Sequence, residues 1–473
     1  MNTTTFKPLV VALALALPCA ALAQTDNAEL LRELQELKAK VKALEEKITG
    51  APVAVPAPAS PVADERLDQT ITDVNKLKLK VDQMDTTAEE SGFFGLKLSG
   101  YADPTYIFNQ RRRTNSFVFL NNISGSGGDA VGKNVYGYDN SFFGSIFLRL
   151  EKTFESGAKG IIEIMPKKGY DDGNNNIINQ AIFSIPLKPS LKLFAGQVGS
   201  WQGYEYQAAT LRKNITFNLL YDFAEFTYMT GAGLEFTPAG SKLSGKMMIG
   251  NPAALSRNYS DRSTAIHGRL DYAVSEFAGV GGTLYRGKLF GNNLTNVQAD
   301  FYSSKGDWSF SGQLDYGRFE NAAFNAKTAT WIGVSGLAAY KFTPRNEGVV
   351  RVDYIKNSKN GGGMPGVTFG QLQPGVDLNG DGVIDDQDLQ STGDGFNGFG
   401  PEIDPLTGVA NDPDKGANRY AITATWNYLI DKNVTMRAEY RLDGSSLKTF
   451  FNTRSGDYSK TNNLLGLQLI YAF

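Results

Sequence analysis

From residue 92 onward, apolar and polar side chains alternate with a period of two, interrupted by connections rich in glycine, serine and proline. In 434–443, Val434, Met436, Ala438, Tyr440 and Leu442 fall on one side, and Thr435, Arg437, Glu439, Arg441 and Asp443 on the other. Trp308, Phe310, Leu314 and Tyr316 oppose Ser309, Ser311, Gln313 and Asp315 in the same way, and Ile266, Leu270 and Tyr272 oppose His267, Arg269 and Asp271. The chain ends on the same rhythm: Leu465, Leu467, Leu469, Tyr471 and Phe473 share a face, with Ile470 the one apolar intruder of size on the other. Such alternation predicts strands whose two faces meet different solvents. A charged face near a membrane midplane would cost a few kcal/mol per residue, so it is expected to line water while the apolar face meets lipid.

Short and long connections take turns along this region. The short set is 155–160, 188–190, 239–242, 274–277, 303–307, 343–347 and 430–432; the long set lies near 110–141, 170–177, 200–227, 252–263, 289–295, 317–328, 358–417 and 444–460. Together they predict an all-β transmembrane antiparallel barrel of about 16 strands over 92–473, with both ends on the short-turn side. Eighteen strands would result if 200–227 hid a further hairpin. A barrel of this width is too wide to be filled by its own wall side chains and is expected to hold an aqueous channel.

Before residue 92 the period changes. Lys7, the apolar run from Leu9 to Leu17 and the small-x-small triplet Ala21-Leu22-Ala23 have the form of a signal peptide, 1–23, with the mature chain starting at Gln24. In 24–50, Leu30, Leu34, Leu37, Val41, Leu44 and Ile48 make a heptad seam, which predicts a short α-helical coiled coil. Pro52, Pro56, Pro58 and Pro61 make 51–63 an extended Pro/Ala-rich linker. A second helical stretch, 64–91, carries Leu67, Ile71, Val74, Leu77, Val81 and Met84, with a break of phase between Val74 and Leu77.

Composition narrows the field. The 51 glycines, 29 phenylalanines and 21 tyrosines suit one large β structure, and mean hydropathy stays below zero because only alternate strand residues need face lipid. No apolar stretch long enough for a membrane helix follows the leader. The formal net charge of −2 gives no general case for nucleic acid as a partner. Cys19 is the one cysteine and leaves with the signal peptide, so no thiol remains for a disulfide, a metal or a nucleophile.

Charges with lumen parity are the candidates for solute contact. Arg149, Lys167, Arg269, Arg286, Arg351, Arg437, Glu439 and Arg441 are the pore-lining candidates, with the arginines preferred because their planar donors match carboxylate and phosphate. The competing reading is that such residues pair across strands and stiffen the wall. The connection 200–227 holds Trp201, Tyr204 and Tyr206, then Arg212 and Lys213, then Ile215, Phe217, Leu219 and Leu220. Apolar residues in an exposed loop would be odd, so the loop either folds into the barrel or forms another hairpin. Arg111, Arg112 and Arg113 end the first strand and suit lipopolysaccharide phosphate, anions at the mouth or a solvated rim.

The longest loop contains a calcium-type ligand pattern. Asp377, Asn379, Asp381, Val383 through its carbonyl, Asp385 and Asp388 take the ligand positions of an EF-hand loop, with Gly382 at the turn position. Asp388 is shorter than the usual glutamate there, and the stretch resembles the calcium loops of dockerins. A structural Ca2+ is therefore expected. Signals for catalysis are poor: His267 is the one histidine, with no serine at motif spacing.

Taken together, leader, heptads, alternation and terminal phenylalanine resemble Gram-negative outer-membrane porins with an N-terminal periplasmic coiled coil. The resemblance implies passive diffusion of small hydrophilic solutes through a water-filled, charge-lined pore, a homotrimer in the outer membrane among lipid and lipopolysaccharide, and peptidoglycan contact through the helices. It also implies that Tyr471 and Phe473 act as the assembly signal, and that 200–227 is a constriction loop presenting Arg212 and Lys213 to the solute. The alternative function is a non-conducting barrel that anchors the envelope or displays a binding surface.

Overall fold

The structure, a computed structural model, describes residues 95–111, 113–119, 144–165, 177–226, 228–252, 263–289, 291–365, 399, 401–402, 411–452 and 454–473. The signal peptide, coiled coil, linker and second helical stretch lie outside the described residues, as do Arg112, Lys167 and the calcium-type loop 377–388.

Sixteen antiparallel strands close into one barrel. They are β1 (Leu96–Ala102 with Thr105–Asn109), β2 (Thr114–Val118 with Ile146–Thr153), β3 (Lys159–Ile164), β4 (Ile178–Lys188), β5 (Leu191–Gly199), β6 (Tyr228–Phe236), β7 (Leu243–Pro252) and β8 (Ala265–Ser275). The second half is β9 (Ala278–Leu289), β10 (Asn292–Lys305), β11 (Trp308–Phe319), β12 (Ala329–Thr343), β13 (Asn346–Lys356), β14 (Arg419–Asp431), β15 (Val434–Ser445) and β16 (Thr461–Ala472). Each strand pairs with its sequence neighbours, and β16 returns to β1.

That closure keeps one register through a gap. Ala102 pairs with Tyr471 and Thr105 with Gln468, while Pro104, which has no N–H for the ladder, still accepts from the Leu469 amide at 3.1 Å. Phe473 and Gly100 exchange backbone bonds of 3.0 and 2.9 Å, so the last residue of the chain seals the wall.

The alternation read from the sequence becomes an inside and an outside. Along β14, Tyr420, Ile422 and Trp426 are exposed on the outer surface while Arg419, Ala421, Thr423 and Thr425 are buried on the inner one. Aromatic rings gather on the outer wall toward the short turns, with Trp308 against Tyr340 at 4.6 Å and Trp426 against Tyr428 at 5.7 Å, as expected of an interfacial girdle. All seven short turns fall where composition placed them. One long connection does not exist: β9 and β10 are joined by residues 290 and 291 alone, with Gly291 at a φ of 80° that an L side chain rarely adopts. The polar residues Asn292, Asn293 and Thr295, which read as loop, are instead the first residues of a strand.

Candidate functional site

The buried core of the barrel lies in its lumen, and it is built from the connection between β5 and β6. Residues 200–226 enter the barrel with only a 3-10 turn at Ala209–Leu211 and a π turn at Leu220–Ala224. They form a folded-in segment and not a further hairpin. Leu219, Leu220, Phe223 and Phe226 pack on inward-facing Met229, Met248, Tyr285, Trp331 and Ile355. Gly333 makes room: a Cβ there would stand 2.1 Å from Leu220 Cδ2.

Irregular backbone inside a barrel leaves amides and carbonyls that must find partners. The wall supplies them. The Glu439 carboxylate accepts from the Ile215 amide at 2.6 Å, the Thr216 amide at 3.0 Å and the Thr216 hydroxyl at 2.5 Å, and also from the Thr425 hydroxyl at 2.8 Å. Arg351 donates to the carbonyls of Thr216 and Phe217, both at 2.7 Å, and Arg441 to the Phe217 carbonyl at 2.6 Å. Arg437 donates to the carbonyl of Arg212, and Asn427 to that of Lys213 at 3.0 Å. At the start of the segment, Arg269 donates to the Trp201 carbonyl at 2.8 Å and holds Asp300 through two 2.8 Å bonds and Asp271 through one of 2.6 Å.

Sequence-predicted residues therefore divide by burial. Arg269, Arg351, Arg437, Glu439 and Arg441 face inward, but the segment covers them, and Arg351 and Arg441 are 0% exposed. Arg149 on β2 keeps 34% of its side chain in solvent, bonded to Glu163 at 2.5 Å and Glu151 at 3.2 Å. Lys159 on neighbouring β3 is 37% exposed beside Glu151. Arg286 is a correction. It shares its face with exposed Leu284 and pairs with exposed Ile266, so it lies on the outer wall. The glycines of β9 hid its parity, and inward Tyr285 and Leu289 are apolar because they belong to the same buried core as the segment.

Within the segment, Arg212 is buried: it donates to the Ile215 carbonyl at 2.7 Å and lies 3.9 Å above the Phe217 ring. Lys213 reaches water and pairs with Glu347 at 2.5 Å. Glu205, which pattern reading did not single out, helps to seat the segment together with Tyr204. Glu205 accepts from the Asn218 amide at 2.9 Å and from Arg351 at 3.3 Å, and the Tyr204 hydroxyl meets Ser335 at 2.7 Å. Burial pushes the Glu205 carboxyl up against the opposing pull of Arg351 and Arg212, and pushes Glu225 well above the usual carboxylate range. The buried Asn and Gln residues in an otherwise apolar loop were the available signal. Gln207 accepts from Asn179 on β4 at 2.7 Å and donates to the Tyr228 hydroxyl on β6 at 2.6 Å, while Ala209 packs with Tyr101 on β1, Met165 and Ile470 on β16.

His267 is structural in its contacts. It stacks on Trp201 at 4.7 Å, accepts from the Trp201 amide at 3.3 Å, and lies 3.2 Å from the Leu284 carbonyl. Among the described residues no group of three His, Cys, Asp or Glu side chains is placed to hold a metal ion.

A closed antiparallel barrel with an apolar outer face, a polar inner face and a segment folded into its lumen defines a transmembrane β-barrel of the outer-membrane type. The chain belongs to the family described as Protein of unknown function (DUF3138), whose model matches residues 6–288 and 273–473. A search of curated proteins returns no match. Among solved structures it is similar to the anion-selective porin from Comamonas acidovorans, with 9% identity, a TM-score of 0.49, and coverage of 80% of this chain and 99% of that one. It is also similar to the outer membrane channel DcaP of Acinetobacter baumannii, with 12% identity, a TM-score of 0.48, and coverage of 80% and 97%. Salmonella typhi OmpF, in complex with daunomycin, gives 12% identity, a TM-score of 0.47 and the same coverages.

Proposed function

We propose that this protein is a porin through which small hydrophilic solutes diffuse passively, past a constriction formed by residues 200–226. The observation that carries the reading is the polar lumen with its inserted segment: wall residues beneath the segment are sealed, whereas Arg149, Glu151, Lys159, Lys213 and Glu347 still meet water. These solvated charges are already paired, three cations with carboxylates beside them, so the pore would sort solutes by size more than by sign. The reaction is transport without bond-making, and the contacts of His267 support no catalytic role.

A second reading has its own support. Because Gln207 bonds to Asn179 on β4 and Tyr228 on β6 while Glu439 on β15 holds Ile215 and Thr216, the segment touches well-separated parts of the wall, which suits a closed barrel used for anchoring or display. Conductance in planar bilayers separates the two. Full-length protein giving discrete steps that grow when 203–224 is replaced by a short glycine-serine link supports the porin. Silence from folded, inserted wild type with conductance only in the shortened variant supports the closed barrel.

Three further proposals rest on sequence pattern. The heptads of 24–50 gather chains into a trimer below the membrane and reach toward peptidoglycan. Asp377, Asn379, Asp381, Val383, Asp385 and Asp388 bind calcium and order the loop 358–417. Tyr471 and Phe473 form the assembly signal.

A further inference from the structure

The outer wall of β8 to β11 changes character along its length. Leu284, Val297 and Tyr316 form an exposed apolar row across three strands. One step toward the long-loop end, Arg286, Thr295 and Arg318 are neighbours on the same face, and one step further Lys288 and Asn293 follow, with Glu320 beyond them. These side chains line a cleft of about 480 Å³ together with Thr264. Glu320 is already engaged: it accepts from Arg318 at 2.5 Å and from Asn293 at 2.8 Å. Arg286 and Lys288 form no ion pair with any described carboxylate, leaving an excess of two positive charges.

The surroundings say what should meet that charge. Arg286 and Arg318 stand two strands apart, roughly 10 Å, a separation that lets their forks converge on one anion from both sides. Arginine donors match phosphate oxygens in pairs, and Lys288 adds a point charge with three donors. The cleft opens onto the membrane side of the barrel, directly beside the apolar row, so a free anion would leave that row unused. A ligand with a phosphate at one end and acyl chains at the other satisfies both halves.

We infer that Arg286, Lys288 and Arg318 form a binding site for the phosphorylated headgroup of a membrane lipid, whose acyl chains lie on Leu284, Val297 and Tyr316. Occupancy at this site fixes the long-loop end of β8 to β11 to its leaflet, independently of whether the lumen conducts.

The test uses full-length protein in a non-ionic detergent, with bound lipid counted by native mass spectrometry. The probes are bisphosphorylated lipid A, the same lipid with both phosphates removed, and inorganic phosphate as competitor. The double variant Arg286→Ala/Lys288→Ala should bind bisphosphorylated lipid A about tenfold more weakly, as expected for losing two charge-assisted contacts. Lys242→Ala, at the short-turn end, should bind like wild type, and heat-modifiable migration checks that each variant is a folded barrel. Equal binding of the dephosphorylated lipid, or equal binding by the double variant, overturns the site. Displacement of the lipid by millimolar inorganic phosphate also overturns it, since the cleft would then take a free anion.

Discussion

Replacing Glu439 with alanine should loosen the segment inside the lumen while leaving the barrel closed. Glu439 is the acceptor for two buried backbone amides, those of Ile215 and Thr216, and for the Thr216 hydroxyl. A buried donor stripped of its partner costs about 1–3 kcal/mol, so the two amides alone put the change at about 2–6 kcal/mol. Even the low end shifts the ratio of seated to released segment about thirtyfold. Arg437 and Arg441 flank the same carboxylate on β15 and lose a counter-charge, which pushes in the same direction. The wall should survive, because β15 keeps its ladders to β14 and β16. Single-channel recording of the folded variant, checked by heat-modifiable migration, should show a larger conductance or frequent excursions to one. Glu439→Gln, which retains one acceptor oxygen, should fall between. If Glu439 were only a charge lining open water, Glu439→Ala would alter ion selectivity with conductance and open-channel noise unchanged, and that result would refute the seating role.

Other perturbations follow from the same geometry. Gly333→Val would drive a side chain into Leu220, at a cost of about 1–3 kcal/mol, and should raise protease access to 200–226 in the folded barrel. Because burial raises the Glu225 carboxyl, the seated segment holds that proton more tightly than a released one: seating is strongest below the usual carboxylate range and weakens as pH rises through the raised value. Mean conductance should therefore fall on acidification and the trend should flatten in Glu225→Gln; a wild-type conductance that climbs at low pH contradicts this. Chelation of calcium with EGTA should increase cleavage within 377–388, and Asp377→Asn/Asp381→Asn should be cleaved equally with and without EGTA. Deleting Phe473 removes both backbone bonds to Gly100 and should lower the yield of heat-modifiable, membrane-inserted protein.

The barrel was legible in the chain because lipid and water impose opposite demands on successive residues, and short turns concentrate glycine at the points where strands reverse. Where one of those demands lapses, the reading falters. Arg286 is the plainest case: the glycines of β9 carry no polarity, and inward Tyr285 serves a buried core where a water-facing wall would have been polar. Asn293 and Thr295 misled for a related reason, since polar residues on an outer wall beyond the apolar belt look like loop until the strand around them is seen. The inserted segment announced itself through Ile215, Phe217, Leu219 and Leu220, which no exposed loop would carry. Its partners were less visible, because Arg351 and Glu439 on the wall read equally well as free charges in a pore or as acceptors and donors for irregular backbone. Choosing between those roles requires knowing which strands the segment crosses, and that depends on pairs separated in sequence by more than 130 residues, such as Arg351 with Phe217 and Glu439 with Ile215. The charge on this lumen wall is thus largely committed to holding the inserted segment, and in the proposed porin selectivity would rest with the few ionised groups that the segment leaves in water.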